Sequence, residues 1–295
     1  NGRVDINDLK SKVDENTAGM MLTQPNTLGL FENNIEEISS IIHNVDGLMY
    51  MDGANLNALL GIARPSDMGF DITHINLHKT FSTPHGGGGP GAGPIAVVEK
   101  LSKFLPVPRI IKEDGNFSLS TEFDNSIGRL HSFYGNFLVL VRAYCYILSL
   151  GDSGLERMSK IAILNANYLK KKLAKYYDIP YPDGTMHEFV ISGIKQKNRG
   201  AKALDIAKSL LDYGYHSPTI YFPINVPESM MIEPTESENK ETLDNFAESM
   251  IEIDNLIDTN LELILNAPIN TPVGRLDETK ANRELDLNYY NQDKN

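Results

Sequence analysis

The strongest constraint on the fold is a strand, helix and strand pattern near the start of the chain. Residues 18–23 form a short apolar run that ends in a proline-containing turn, which predicts a buried strand. Asn34 can cap a helix over residues 35–43, whose isoleucines fall on one face, and residues 48–51 predict a second strand. Such a unit predicts parallel strands, a right-handed crossover and functional groups at the carboxyl ends of the strands, where Thr23 and Asp52 lie.

The remaining pattern predicts two domains. Helices are expected at residues 6–13 and 54–61, and strands at 71–76, running into His78 and Lys79, and at 95–99. Longer helices follow at 133–150 and 155–177, then a strand at 187–192, a helix at 202–213, a strand at 219–222 and a helix at 240–266. We therefore expect a large α/β domain with a mainly parallel sheet over residues 1–130, and a small α+β domain with an extended tail over residues 131–295.

Composition narrows the classes of partner. The chain has 39 acidic and 27 basic side chains and a formal charge of -12, so its field repels a phosphate backbone and no nucleic-acid partner is expected. We find no apolar run of about 20 residues, which predicts no membrane association. The single cysteine, Cys145, fits a reducing, cytoplasmic compartment and is interpreted as a small buried hydrophobe. The first residues show no secretory signal, and the missing initiating Met suggests that upstream residues were removed.

Asp52 and Lys79 are the residues that most clearly indicate a type of chemistry. A free lysine has a pKa of about 10.4 and is almost fully protonated at neutral pH, whereas a cofactor aldehyde holds the amine as an imine. Pyridoxal phosphate (PLP) acts as an electron sink only while its ring nitrogen stays protonated, which requires a carboxylate partner. Asp52 lies 27 residues before Lys79 at a strand end. Alone, each would be a turn residue or a surface charge, so the prediction depends on their combination.

His85 and the four glycines after it form the second informative segment. The run lacks the Gly-Lys-Ser/Thr of a P-loop and the spacing of a dinucleotide fingerprint, so a mobile loop over the site is expected. A structural or metal-binding module built on His74, His78 and His85 is the competing interpretation. On a strand, His74 and His78 would lie roughly 13 Å apart, too far for one ion, and no metal is expected.

These motifs resemble the glycine decarboxylase P-protein family of the glycine cleavage system, and within it subunit 2 of the split bacterial and archaeal form. The resemblance covers nearly the whole chain. It rests on three central motifs: Tyr50-Met51-Asp52-Gly53-Ala54-Asn55-Leu56-Asn57-Ala58, Asn76-Leu77-His78-Lys79-Thr80-Phe81 and Pro84-His85-Gly86-Gly87-Gly88-Gly89-Pro90-Gly91. Flanking motifs extend it: Leu22-Thr23-Gln24-Pro25-Asn26-Thr27, Asp212-Tyr213-Gly214-Tyr215-His216 and Ile232-Glu233-Pro234-Thr235-Glu236-Ser237.

The resemblance implies a fold-type I PLP-dependent transferase fold, with only part of its large domain present, and the activity of glycine dehydrogenase (aminomethyl-transferring). Lys79 would hold PLP as a Schiff base, and Asp52 would pair with the pyridinium nitrogen. Glycine would lose its carboxylate as carbon dioxide, and the aminomethyl group would pass to the lipoyl arm of H-protein. The implied partner is P-protein subunit 1, with two copies of each subunit in a heterotetramer.

The resemblance also suggests supporting residues. Thr23, Thr27 and Asn55 would approach the cofactor, His78 would reach its phosphate or brace the strand, and His85 would contact substrate or lipoyl sulfur. His187 and His216 are expected to be structural or channel-lining residues of the small domain. The family's glycine-rich phosphate cup and ring-stacking side chain have no match here, which predicts an amino-terminally truncated chain. An inactive scaffold, or another fold-type I PLP lyase or aminotransferase, remains the alternative.

Overall fold

The computed structural model describes residues 1–89, 91–130 and 133–288. In these residues the first sheet has four strands in the order β1 (Gly19–Thr23), β2 (Leu48–Asp52), β3 (Ile72–His74) and β4 (Ile95–Val97). The first three strands are parallel, and β4 is antiparallel to β3. The predicted parallel sheet is therefore confirmed for three strands, and β4 adds an antiparallel edge.

Two helices flank these strands as the apolar pattern predicts. Helix α1 spans Ile6–Lys12 and is capped by the Asp5 carboxylate, which accepts hydrogen bonds from two backbone amides of the first turn. Helix α2 spans Ile35–His43 and buries Ile35, Ile38 and Ile42. These side chains join the buried methionines of β2 in one hydrophobic core cluster. The βαβ unit thus places the carboxyl end of β2 above a packed core.

The helix predicted over residues 54–61 is wrong. The segment forms a series of turns, followed by a short 3-10 helix at Pro65–Met68. Two backbone amides of this segment donate to side chains instead of to helix carbonyls. The amide of Asn57 donates to Asn55 Oδ1, and the amide of Leu56 donates to Thr80 Oγ1. Local side-chain to backbone bonds of this kind compete with helix formation.

Asp71, at the start of β3, is the main buried charge of the sheet, with a side chain 5% exposed. Its carboxylate accepts hydrogen bonds at 2.8 Å from His43 Nε2 and from the backbone amide of Met49, and pairs with Lys100 Nζ at 2.8 Å. Burial alone would raise the pKa of Asp71, but the hydrogen bonds from Lys100, Met49 and His43 outweigh it and lower the pKa. The ionised side chain of Asp71 therefore links α2, β2 and the segment after β4 by direct contacts.

Replacing Asp71 with asparagine should lower the free energy of unfolding at pH 7 by roughly 2 kcal/mol, because charged hydrogen bonds in a buried site are lost. The urea midpoint measures this change. Since folding lowers this pKa, the stabilisation is present above the unfolded carboxyl pKa of about 3.9 and is lost as the pH falls through the folded pKa. The variant and the natural protein should therefore converge in acid. Asp67→Asn, in an exposed pair with Arg64, is the control, and equal loss in both variants would contradict this account.

Four elements between β3 and the long helix were not predicted from the sequence pattern. Helix α3 spans Leu77–Thr80 and helix α4 spans Glu99–Ser102. Strands β5 (Arg109–Glu113) and β6 (Asn116–Ser120) form an antiparallel hairpin. Its turn is Asp114-Gly115, with φ of 49° and 82°, which is the Asp-Gly signal of a tight hairpin. The Asp-Gly pair therefore marks this hairpin in the sequence.

Helix α5 spans Phe137–Leu173 but is interrupted at Gly151, whose φ of 60° and ψ of -178° are not helical. One face of its first part, including Val139 and Ala143, packs into the core cluster. Cys145 is exposed, so the expectation of a buried cysteine is wrong. Among the described residues, α5 is the one helix that is long and apolar enough to cross a membrane. Its apolar part before Gly151 spans roughly 21 Å, short of a hydrocarbon core of about 30 Å, so this support is weak.

The remaining elements build an α+β arrangement with a second sheet in the order β7, β9, β8. The strands and helices, in chain order, are β7 (Phe189–Ser192), α6 (Ile194–Asn198), α7 (Ala203–Asp212), β8 (Thr219–Ile220), β9 (Ser229–Ile232), α8 (Lys240–Thr259), α9 (Leu261–Asn266) and α10 (Glu278–Arg283). Its core includes Ile191, Ile206 and Leu210. The predicted helix over 240–266 is divided at Asn260, whose side chain caps α9.

The described chain divides into two compact units. Unit 1 comprises Asn1–Tyr168, Tyr181–Phe189 and Glu233–Asn239, and unit 2 comprises Leu169–Pro180, Val190–Ile232 and Lys240–Asn295, of which residues 289–295 lie outside the described residues. Unit 1 continues past residue 130 because the first part of α5 packs into its core. The boundary at residue 130 between a large and a small domain stays a prediction.

Candidate functional site

Three parallel strands of unit 1 bring Thr23, Asp52 and His74 side by side. Thr23 of β1 is the register partner of Asp52 of β2, and Asp52 is the register partner of His74 of β3. All three are the last residues of their strands. The structure therefore places Thr23 and Asp52 at the carboxyl edge of the sheet, where ligands of open α/β sheets bind.

Asp52 is held by one of its two carboxylate oxygens. Oδ1 accepts a hydrogen bond from the amide of Ala54 at 3.0 Å and lies 3.3 Å from Nε2 of His74. Nδ1 of His74 in turn lies 3.0 Å from the hydroxyl of Tyr50. Within the described residues, Oδ2 makes no hydrogen bond. The carboxylate is thus oriented by the protein while one oxygen remains available to a ligand.

Tyr50 and His74 were not predicted as site residues, although the sequence contains a signal for both. Side chains two residues apart on a strand share a face, so Tyr50 and Asp52 were bound to lie together. His74 ends the next strand, at the same level of the sheet. Combining strand periodicity with parallel register would have found this Tyr50, His74 and Asp52 chain of contacts.

Lys79 lies in the short helix α3 rather than at the end of a strand, and it is exposed. The hydroxyl of Thr80 accepts a hydrogen bond from the amide of Leu56 at 3.0 Å, which fixes α3 to the turn after Asp52. Among the residues that the structure describes, Nζ of Lys79 has no hydrogen bond and no ion pair. Lys79 therefore offers an accessible amine on a helix that is anchored next to the Asp52 segment.

The rings of His78 and His85 meet edge to face with centroids 4.6 Å apart. Burial, followed by the charges of His85 and Lys79, lowers the pKa of His78, which favours a neutral imidazole. Its Nδ1 is buried without a hydrogen-bond partner in the described part of the chain. His85 Nδ1 accepts from the amide of Gly88 at 3.1 Å. The two histidines thus form one group beside Lys79.

The glycine-rich loop after His85 needs glycine for its backbone. Gly86 to Gly89 all have positive φ, from 64° to 136°, in the region that side chains other than glycine rarely adopt. A Cβ at Gly87, Gly88 or Gly89 would meet nothing within 4 Å, so these residues are free of packing constraints. Pro90 of this motif lies outside the described residues. The movement of this loop stays a prediction.

Thr27 and Asn55 are placed in turns. Thr27 belongs to a turn that Asn26 holds by accepting hydrogen bonds from the amides of Leu28 and Leu30. The amide nitrogen of Asn55 donates to Glu233 Oε1 at 2.8 Å, as does that of Asn57. Both ends of the Asn55 side chain therefore already contact protein groups, and its role in cofactor binding stays a prediction, as does that of Thr27.

A second cluster of titratable groups lies in unit 1, at His187, Glu188 and Glu233. The ligand atoms of all three lie within 4.8 Å of one another. Burial, and then the charge of Glu233, raises the pKa of Glu188 to about 8, while the positive charge of Lys79 acts in the opposite direction. Burial lowers the pKa of His187. His187 was expected in the small domain but belongs to unit 1, whereas His216 is exposed in unit 2.

Two models of known protein families match this chain. Residues 3–116 match the model of the glycine cleavage system P-protein, and residues 158–268 match that of the C-terminal domain of glycine dehydrogenase. The chain is 56% identical over 290 residues to a probable glycine dehydrogenase (decarboxylating) subunit 2 of Staphylococcus saprophyticus, covering 98% of this chain and 59% of that protein. It is 58% identical over 291 residues to the protein of the same name in Prosthecochloris aestuarii, covering 97% and 60%. The chain thus spans about three fifths of the length of these relatives.

Solved structures share the fold. A crystal structure of glycine decarboxylase (P-protein) in inhibitor-bound form superposes with a TM-score of 0.68 at 19% identity, over 82% of this chain and 56% of that chain. Cysteine desulfurase from Thermococcus onnurineus gives a TM-score of 0.66 at 14% identity, over 86% of this chain and 64% of that one. The expected fold-type I architecture is confirmed.

Proposed function

The chain belongs to the glycine dehydrogenase (decarboxylating) P-protein family, and from this membership we propose that it contributes to the PLP-dependent decarboxylation of glycine. The family resemblance drawn from the sequence is confirmed. Because the chain spans about three fifths of the length of its curated relatives, the proposal concerns the activity of the complete subunit with its partners.

The residues of the site fit PLP in their chemistry. Asp52, with Oδ1 held by Ala54 and Oδ2 without a hydrogen bond to a described residue, suits a protonated ring nitrogen. The amine of Lys79, which has no partner in the same residues, suits an aldehyde. The buried Nδ1 of His78, which has no hydrogen-bond partner in the described part of the chain, is a further polar group available to a ligand. The single observation that carries the proposal is that two segments, joined by the hydrogen bond from Leu56 to Thr80, present the oriented carboxylate of Asp52 and the accessible amine of Lys79. When bound, PLP would supply an electron sink for the electron pair that stays on the glycine carbon when carbon dioxide leaves.

The side chains of this protein would then have separate tasks. Lys79 would hold the cofactor and yield its place to the amine of glycine. Asp52 would keep a proton on the ring nitrogen, and His74 would orient Asp52 while Tyr50 fixes the tautomer of His74. The neutral His78 and the loop residue His85 would contact phosphate, substrate or the lipoyl arm of H-protein. Transfer of the aminomethyl group to lipoylated H-protein is part of the proposal.

The test of the proposed function is exchange of labelled bicarbonate into the carboxyl group of glycine. The assay uses the complete subunit 2, subunit 1 and lipoylated H-protein. We expect exchange only when all three proteins and PLP are present. No exchange from a correctly folded, cofactor-loaded mixture would contradict the decarboxylase function and would favour another reaction on the same fold.

His74 gives a graded test of the site. His74→Ala removes the contact to Asp52 Oδ1, and we expect the dissociation constant of PLP to rise about tenfold, as for the loss of other supporting hydrogen bonds. Tyr50→Phe removes only the contact behind His74 and should have a smaller effect. Titration of the visible absorbance of the bound cofactor measures both. An affinity equal to that of the unchanged protein in His74→Ala would refute this role.

The names of the relatives imply a partner, subunit 1, and we propose that it covers an apolar surface on unit 1. This surface, the hairpin-helix surface, is built from β5, β6 and the start of α5. It contains a groove of about 690 Å³ lined by Ile110, Phe117 and Phe137, which are between 68% and 72% exposed. An apolar patch of this kind typically marks a protein interface. We further propose that two copies of each subunit form a heterotetramer and that this complex is located in the cytoplasm.

Leu138 tests this surface, because it is 78% exposed on α5. Leu138→Lys should weaken binding to subunit 1 about tenfold or more by placing a charge in an apolar interface, while leaving the stability of subunit 2 unchanged. Leu164→Lys is the matched control, since Leu164 is 66% exposed on the same helix after Gly151. Titration calorimetry between the complete subunits provides the affinities. Equal binding by Leu138→Lys and Leu164→Lys would show that this surface lies outside the interface.

A further inference from the structure

His187 is a buried imidazole that makes no hydrogen bond to any described residue. Its side chain is 2% exposed, and neither ring nitrogen has a hydrogen-bond partner among the described residues. Buried polar atoms are nearly always paired, because desolvation without a replacement bond costs free energy. An unpaired imidazole in the interior therefore calls for a ligand.

Two carboxylates face this imidazole at distances too long for hydrogen bonds. Nε2 of His187 lies 3.9 Å from Oε1 of Glu233 and 4.0 Å from Oε1 of Glu188. A metal ion with bonds of about 2.1 Å brings tetrahedral ligand atoms to about 3.4 Å from one another. The two distances from His187 are thus longer by roughly half an ångström than in such a site, a difference that the rotatable bonds of two glutamates can close.

His187 and Glu188 are neighbours in the chain, and the backbone holds both on one segment. The chain bends at His187, so that consecutive side chains converge instead of pointing to opposite faces. The amide of Met186 donates to the carbonyl of Gly29 at 2.7 Å. The carbonyl of Glu188 packs so closely on Gly29 that a Cβ there would lie 1.9 Å from it. This segment is therefore fixed against the turn after β1.

Glu233 is held independently. Its Oε1 accepts hydrogen bonds of 2.8 Å from the side chains of Asn55 and Asn57. These bonds orient the carboxylate, whose Oε1 faces Nε2 of His187 at 3.9 Å. The side chain of Glu233 is 30% exposed, so the cluster is open to solvent on this side. A ligand can enter here without unfolding the segment that carries His187.

We propose that His187, Glu188 and Glu233 bind a divalent transition-metal ion such as Zn²⁺. One imidazole nitrogen and two carboxylate oxygens form a donor set that suits such ions, whereas Mg²⁺ prefers oxygen ligands alone and a larger number of waters. The two carboxylates balance the charge of the ion, and water completes the coordination. The ion gives Nε2 of His187 the partner that it lacks among the described residues. Glu233 accepts a hydrogen bond from Asn55, so this site adjoins the proposed cofactor residues, but metal binding there requires no PLP.

The experiment is titration calorimetry of the complete subunit, free of PLP, with Zn²⁺, supported by the visible absorption of bound Co²⁺. We expect one ion per chain with micromolar or tighter affinity. His187→Ala and Glu233→Gln should each weaken binding at least tenfold, whereas the exposed His216→Ala and Glu241→Gln should not. Because Glu233 is partly exposed, Glu233→Gln should fold even if the loss of the buried ring in His187→Ala prevents folding. Glu233→Gln alone can then test the proposal. Lys79→Ala should bind Zn²⁺ at least as tightly, because it removes a positive charge near Glu188, and this result distinguishes the metal site from the decarboxylase proposal.

Three outcomes would overturn the proposal. The first is no binding of Zn²⁺ or Co²⁺ at millimolar concentration. The second is binding that His187→Ala and Glu233→Gln leave unchanged. The third is binding of methylammonium at the cluster, with Zn²⁺ excluded, which would make it an amine site.

Discussion

Replacing Lys79 with alanine is expected to abolish the visible absorbance of bound PLP and to lower glycine exchange at least about 10³-fold, within the range that loss of a catalytic group costs. The reason is chemical rather than structural. Lys79 is exposed, and within the described chain its Nζ makes no hydrogen bond, so the substitution removes an amine without leaving a buried group unpaired. The free energy of unfolding should therefore be nearly unchanged. Absorbance, exchange and denaturation of the same preparation measure the three quantities.

Lys12→Ala is the control for this experiment, because Lys12 is a surface lysine in an exposed ion pair with Asp8. Exposed pairs contribute little, so the control should keep both absorbance and exchange. Exchange that survives in Lys79→Ala would refute the role of Lys79. Loss of exchange together with loss of folding would refute the claim that Lys79 has no structural role.

Replacing Asp52 with asparagine should lower exchange by a factor on the order of 10² to 10³, as for the loss of one preorganised electrostatic contact in other active sites. The amide still accepts the hydrogen bond from Ala54, so the turn after β2 should persist. It carries no negative charge, however, and it cannot hold a proton on a pyridine nitrogen. The effect should appear mainly in kcat, because the charge matters most when the carbanion forms.

Steady-state exchange at several glycine concentrations separates kcat from KM for Asp52→Asn. Asp67→Asn is the control, since Asp67 is exposed and pairs with Arg64 at the surface. A rise in KM at constant kcat would contradict the assignment, since it would give Asp52 a role in binding glycine instead of stabilising charge.

The sequence predicted the part of the site that follows from local patterns. Short apolar runs and the helix between them determined the parallel strands, and the carboxyl end of β2 then gave the position of Asp52. Helix α2 begins and ends as predicted because its buried isoleucines repeat with helical period. Lys79 could be chosen from its motif, although it lies on α3 and not at a strand end.

Tertiary contacts account for what the sequence did not predict. Residues 54–61 have helical composition, but side chains such as Thr80 capture their amides. The direction of β4 depends on its pairing with β3, which no local pattern encodes. Glu233 reaches Asn55 across 178 positions of the chain, so the cluster with His187 cannot be found by spacing. Contacts between distant segments decided each of these features.

The most direct test of Lys79 as the residue that holds PLP is to fix the cofactor chemically to its amine. The complete subunit, loaded with PLP together with subunit 1, is reduced with borohydride and digested, and the peptides are analysed by mass spectrometry. We predict one pyridoxyl group per chain on Lys79, and none in a sample that is first saturated with glycine. A pyridoxyl group on another lysine, or a reduced protein without label despite bound PLP, would contradict the account.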